Sequence, residues 1–141
     1  MVKRQHERGQ AIIWTAVILP FFLSLIGLAA DEGLVLDQYQ ALQLLANGAA
    51  RTAAEQVDTQ VYYQSGGTVV VLNQPAARQA ALQYVQRQAT GIDGVAVTAG
   101  PQSVTVTVER TAPLAFLRIV HLDSVRLQAA STAQLASAGA P

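Results

Sequence analysis

An uninterrupted apolar segment near the start of the chain limits what it can fold into. Residues 11–30 carry no charged side chain. A helix of that length rises about 1.5 Å per residue and spans roughly 30 Å, the hydrocarbon thickness of a bilayer. A helix satisfies its own backbone hydrogen bonds in lipid, where even Pro20 is tolerated. The segment therefore predicts a membrane-spanning helix. The alternative is a core helix of a soluble protein, but such helices are usually shorter and have a polar face.

The flanks of the segment predict its orientation. The lead, residues 1–10, is basic, and acidic residues follow residue 30. Because positive flanks stay in the cytoplasm, we predict a cytoplasmic lead and an extracytoplasmic C-terminal part. A secretory signal peptide cleaved near Ala30 would have the same order of segments, although its apolar region is usually shorter.

Composition narrows the classes of function. The 141 residues carry no net charge, and only 13% of them are charged. Nothing basic covers the C-terminal part, so no nucleic-acid partner is predicted. The chain has no cysteine, so it has no disulfide and no thiol chemistry. A surface poor in charge indicates a protein that packs beside others.

The chain after the apolar segment predicts one α+β domain, residues 31–136, with residues 137–141 as a flexible tail. We predict that the first helix continues to about residue 58, with a bend at residues 31–33. The basis is an apolar stripe at spacings of three and four. Its members are Val35, Tyr39, Leu42, Ala46, Ala49, Ala53 and Val57.

The next part of the chain predicts a hairpin and a second helix. Residues 61–63 and 68–72 are rich in β-branched and aromatic side chains, and Gly66-Gly67 between them suits a tight turn. Asn73 or Gln74 as the capping residue, with Pro75 in the first turn, is typical of a helix start and predicts a helix over residues 76–89.

The last part predicts strands. Valines at 104, 106 and 108 alternate with polar residues, which indicates a strand with one buried face. Residues 125–129 alternate in the same way and predict a final strand. Between them, residues 111–122 predict a short helical turn that places Phe116 in the core.

Candidate chemistry is sparse, and we predict no catalytic, cofactor-binding or metal-binding residue. His6 lies in the basic lead, and His121 beside Asp123 is interpreted as a solvated loop histidine. Asp93 is interpreted as a turn residue. Three acidic residues do not converge on a helix and lack the loop spacing of calcium sites: Asp31, Glu32 and Asp37.

Three segments resemble the TadE/TadG-like family of pilin-like proteins from tight-adherence (Flp, type IVc) pilus systems. They are the start, Glu7-Arg8-Gly9-Gln10-Ala11 with the apolar run behind it, the alanine-rich helix at residues 39–54, and the valine-alternating ending at residues 104–133. The resemblance implies a type IV pilin-like architecture. In it, a long N-terminal helix, its first half transmembrane, packs on a small, mainly antiparallel sheet with a second helix.

The resemblance also implies a processing site. In related prepilins a peptidase cuts after a glycine, which here would be the bond between Gly9 and Gln10. A glutamate is then expected at the fifth mature position, but this sequence has Trp14 there. The departure favours a chain that keeps its lead and acts as an anchored accessory component, as in the TadG-like branch. Trp14 also suits an aromatic side chain at the cytoplasmic interface.

The function implied is a structural or assembly component, such as a minor pilin or pseudopilin, and not an enzyme. Its expected partners are the lipid bilayer and other pilin-like subunits or platform proteins, with no small-molecule substrate. The residues predicted to pack against other helices are Trp14, Gly27, Ala29, Ala30 and Gly33. The alternative is a membrane-tethered binding module independent of a pilus, with a contact patch of Tyr62, Tyr63 and Tyr84.

Overall fold

The computed structural model describes residues 4–135, and for residues 4–9 and 120 it describes the backbone only. The predicted tail, residues 137–141, and the first three residues of the lead lie outside that range. The chain divides into two compact units, which we describe separately. The first comprises Met1–Leu36 and Pro113–Val125, and the second comprises Asp37–Ala112 and Arg126–Pro141.

Helix α1 (Arg4–Ala54) contributes residues to both units. The backbone is helical throughout residues 31–33, where the sequence predicted a bend. The helix ends a few residues before the predicted residue 58, because Val57 pairs with Leu72 in an isolated antiparallel bridge. Within the apolar segment, the Thr15 and Ser24 hydroxyls donate to carbonyls four residues earlier, so the helix satisfies these polar groups itself.

The predicted hairpin over residues 61–72 is wrong. Residues Thr59–Gln64 form helix α2 instead. The carboxylate of Asp58 accepts hydrogen bonds from the backbone N–H groups of Gln60 and Val61, at 3.0 and 3.1 Å, and so caps this helix. The cap outweighs the β preference of the Val-Tyr-Tyr run. Gly66 and Gly67 do form the following turn, with φ values of 65° and 84° that favour glycine.

The second predicted helix is confirmed as α3 (Gln74–Gln88). The side-chain oxygen of Asn73 accepts from the N–H of Ala76 at 3.1 Å, and Pro75 lies in the first turn. Both features are typical of a helix start. The buried face of α3 consists of Ala77, Ala81 and Val85.

Three strands form one antiparallel sheet, namely β1 (Gly94–Ala99), β2 (Ser103–Pro113) and β3 (Ser124–Gln134), with β2 in the centre. The two strands predicted around residues 104–108 and 125–129 are confirmed as β2 and β3. In the β1–β2 register, Val97 lies opposite Val106. The three alternating valines of β2, at 104, 106 and 108, are fully buried, as their pattern predicts. A long apolar helix, further helices and a small antiparallel sheet together confirm the α+β class and are consistent with a pilin-like fold.

Small side chains dominate the core of the second unit. The α1 residues that are fully buried there are all alanines: Ala46, Ala49, Ala50 and Ala53. Because alanine leaves little volume between helices, a neighbouring element can approach α1 closely. The tightest approach is at Gly48, where the ring of Tyr84 from α3 occupies the space that a side chain at position 48 would take.

Candidate functional site

The apolar segment is almost entirely exposed in the described structure. Its most apolar window has a mean hydropathy of 2.3, and only 6% of that window is buried. A core helix of a soluble protein would be mostly buried, so exposure favours a surface that faces lipid. By length and composition, α1 is therefore a helix that can cross a membrane once.

Immediately after the apolar segment, Asp31 is buried. Only 1% of Asp31 is exposed. Its carboxylate accepts three backbone hydrogen bonds, from the N–H groups of Ala115 at 2.8 Å, Phe116 at 2.9 Å and Leu117 at 2.7 Å. All four residues belong to the first unit. Asp31 therefore holds residues 115–117 against α1 at the position that directly follows the apolar segment.

These hydrogen bonds also explain the charge state of Asp31. Removal from water raises the pKa of a carboxyl group, but the three N–H donors favour the carboxylate and outweigh that effect. The pKa of Asp31 therefore lies below its ordinary value. The hydrogen bonds satisfy both the backbone N–H donors at 115–117 and the carboxylate of Asp31. Each of these groups would be costly to remove from water without a partner.

The segment that Asp31 binds is a closed loop, residues 114–123, which we call the Asp31-bound loop. The N–H of Leu114 donates to the carbonyl of Asp123 at 2.9 Å and closes it. Inside it lies a short 3₁₀ helix, Leu117–Val120, which ends at His121 in a left-handed conformation, with φ of 65°. Arg118 and Asp123 form an exposed ion pair at 3.7 Å. An exposed pair of this kind stabilises the loop little.

Phe116 is not in the core, contrary to the prediction. It is 49% exposed and lies on Gly27 of the apolar segment. A Cβ atom at position 27 would come within 3.0 Å of three Phe116 atoms, so only glycine allows the ring to approach this closely. Gly27 is accordingly buried, although its neighbours Ile26 and Leu28 are 64% and 47% exposed.

The other residues predicted for helix packing lie on the surface. Trp14 is 60% exposed, and Ala29, Ala30 and Gly33 are exposed as well. A Cβ atom at Gly33 would meet nothing within 4 Å. The bond between Gly9 and Gln10, the candidate processing site, lies within the helical backbone of α1. The roles of these residues stay predictions.

The residues considered for chemistry are spread apart. The side chain of His6 lies outside what the structure describes. His121 is exposed, and Asp123 pairs with Arg118. Asp93 is exposed and accepts a hydrogen bond from Thr111, which lowers the pKa of its carboxyl. Among the side chains described, no group of three or more histidine, cysteine or acidic residues could hold a metal ion.

The three tyrosines of the predicted contact patch are placed differently from one another. Tyr62 and Tyr63 are 39% and 79% exposed, and their rings meet edge to face with centroids 5.7 Å apart. Tyr84 is half-buried and lies on Gly48. One part of the patch is therefore exposed aromatic surface, and the other part is a helix contact.

The N-terminal helix is the part of the chain that is similar to a known protein family. Residues 9–51 match the family model described as TadE-like protein. This confirms the resemblance over most of the first and most of the second of its three segments, while residues 104–133 lie outside the match. Neither the curated proteins nor the solved structures include a match to the chain.

Proposed function

From the match of residues 9–51 to the TadE-like family model, we propose that this chain is a single-span structural component of a tight-adherence (Flp, type IVc) pilus or a related secretion apparatus. TadE-like proteins are a structural family associated with pili and are not known as enzymes. The finer role that we propose is an anchored accessory subunit, similar to a minor pilin or pseudopilin, that acts by packing against other proteins of the assembly.

The observation that carries this proposal is the coincidence of the family match with α1. The match begins and ends inside the helix, Arg4–Ala54, and includes its exposed apolar part. The element by which the family is identified is therefore one that cannot remain uncovered in water. In a membrane it would lie among lipids and the helices of neighbouring pilin-like or platform proteins.

The arrangement across the membrane follows from charge. We place residues 1–10 in the cytoplasm, residues 11–30 across the bilayer and the domain of residues 31–136 on the extracytoplasmic side of the membrane, since basic flanks stay in the cytoplasm. Gly27 is covered by Phe116 of the same chain. The small residues left for contact with a neighbouring helix are Ala29, Ala30 and Gly33. At the cytoplasmic end of the span, Trp14 is the residue that we propose for helix packing.

Loss of the chain should abolish or strongly reduce surface pili. The experiment is deletion of the gene in the source strain, with piliation counted by electron microscopy. Full-length protein should restore the pili, whereas a variant with four charged residues inside the apolar segment should not. The matched control is His121→Ala, which alters an exposed loop residue and should restore pili fully. Normal piliation in the deletion strain would favour the alternative, a tethered binding module independent of a pilus.

We expect the mature protein to keep its basic lead. Trp14 stands where a filament subunit would carry the glutamate that offsets the new N-terminal amine of a neighbour, a buried pair that tryptophan cannot form. The first residue of the mature protein is determined by intact mass and N-terminal sequencing of the protein from the membrane fraction. A start ahead of Gly9 supports the anchored accessory role, and a start at Gln10 would indicate a processed subunit. A start near Ala30 or Asp31 would contradict the membrane anchor.

A further inference from the structure

The Asp31-bound loop carries an unusual amount of exposed apolar surface. Ile119 is 81% exposed, Leu122 is 54% exposed and Phe116 is 49% exposed. These three residues lie within seven positions of one another, and exposed apolar groups at this density mark an interaction surface. The ordinary alternative, that they are buried in the core of the first unit, does not agree with their exposure.

The contact between Phe116 and Gly27 fixes where this surface lies relative to the apolar segment. Gly27 precedes Ala30, the last residue of the segment, by three positions, which is about 4.5 Å along a helix axis. The ring of Phe116 rests on Gly27. The Asp31-bound loop therefore overlaps the last turn of the membrane span and does not begin beyond it.

We propose that the Asp31-bound loop is a membrane-contacting element, which inserts Phe116, Ile119 and Leu122 into the lipid of the leaflet at the C-terminal end of the span. This inference rests on the membrane anchor of the proposed function. The occupant is lipid because the exposed surface of the loop is continuous with that of the span, through the contact at Gly27.

The polar groups of the loop suit that depth. The backbone N–H groups of 115–117 would lack water near the hydrocarbon boundary, and the carboxylate of Asp31 supplies their acceptors. Arg118 and Asp123 keep their charged groups exposed. Long basic side chains can reach headgroups from such a position. Because the opposite charges of Arg118 and Asp123 give the loop pair no net charge, insertion of the loop should not require anionic lipid.

The test uses the absence of cysteine from the chain. Full-length Ile119→Cys is labelled with the fluorophore NBD and reconstituted into phosphatidylcholine vesicles. Nitroxide on the upper acyl chain quenches from the lipid side, and iodide quenches from water. Two labelled variants serve as references. Leu25→Cys, 46% exposed within the apolar segment, reports lipid contact, and Tyr63→Cys, 79% exposed in the second unit, reports an equally exposed site for which no lipid contact is proposed.

We expect the label at 119 to be quenched by nitroxide lipid to an extent comparable with the label at 25, and to be less accessible to iodide than the label at 63. Quenching by iodide as at 63, with no quenching by lipid, would overturn the proposal while leaving the anchor intact. Shielding from both quenchers would overturn it in favour of a protein neighbour. If the label at 25 is not quenched by lipid either, the membrane anchor itself fails, and the inference fails with it.

Discussion

Replacement of Gly48 by leucine should destabilise the second unit by an amount near the upper end of the roughly 1–3 kcal/mol typical of overpacking. A Cβ atom at position 48 would come within 2.6 Å of Cζ and 2.8 Å of Cε1 of Tyr84, and closer still to its hydroxyl oxygen. The atoms in the way belong to a rigid aromatic ring, which must be displaced as a whole to make space for the new side chain. The measurement is the midpoint of urea unfolding of the full chain in detergent micelles, followed by circular dichroism.

Gly33→Leu is the matched control, because it makes the same change in the same helix where a Cβ atom would meet nothing within 4 Å. There the higher helix propensity of leucine should stabilise the helix by up to about 1 kcal/mol. In a Tyr84→Ala background, Gly48→Leu should cost much less, since the clash is gone. Equal effects at positions 48 and 33 would show that α1 and α3 do not meet at Gly48.

Local patterns in the sequence were sufficient to predict much of this fold. The uncharged segment, residues 11–30, predicted the apolar helix from its length alone. The alternation of Val104, Val106 and Val108 predicted a strand with one buried face, and all three are fully buried. Asn73 and Pro75 predicted the start of α3. In each case the signal lies within a few residues of the element that it specifies.

The error in the hairpin has a local cause as well. The run Val61-Tyr62-Tyr63 has β propensity, which is a weak preference that depends on context. Asp58 supplies a helix cap three residues earlier, and its two hydrogen bonds specify α2. The capping residue ahead of the run is therefore the local signal that specifies a helix here, and it outweighs the side-chain composition.

The site at Asp31 could not be predicted from the sequence. Its partners lie 84 to 86 positions away along the chain, and they are backbone N–H groups that leave no trace in residue type. In the sequence, Asp31 is one of several acidic residues that follow the span, and nothing local distinguishes it from Glu32. The contact between Gly27 and Phe116 is also long-range, so Phe116 was assigned to a core that it does not enter.

Asp31→Ala should release the Asp31-bound loop from α1. The substitution removes the acceptor of three part-buried hydrogen bonds at once, and an N–H group that loses its partner there is disfavoured. We expect amide hydrogen exchange of 115–117 to approach that of unprotected amides while the second unit keeps its protection. Asp31→Asn, which leaves one side-chain oxygen as acceptor, should give an intermediate result. Glu32→Ala is the control, because Glu32 is the neighbouring exposed acid, and equal effects at 31 and 32 would contradict the assignment.

Acid should produce the same release in the unmodified protein. The pKa of Asp31 is lowered in the folded chain, because the backbone N–H groups of 115–117 favour the carboxylate. The stabilisation is therefore present above the unfolded value, near 3.8, and is lost as the pH falls through the lower folded value. The amide chemical shifts of 115–117 should change in that acidic range. In Asp31→Ala they should not, because the titrating group is absent. A transition that persists in Asp31→Ala would assign the effect to another carboxylate.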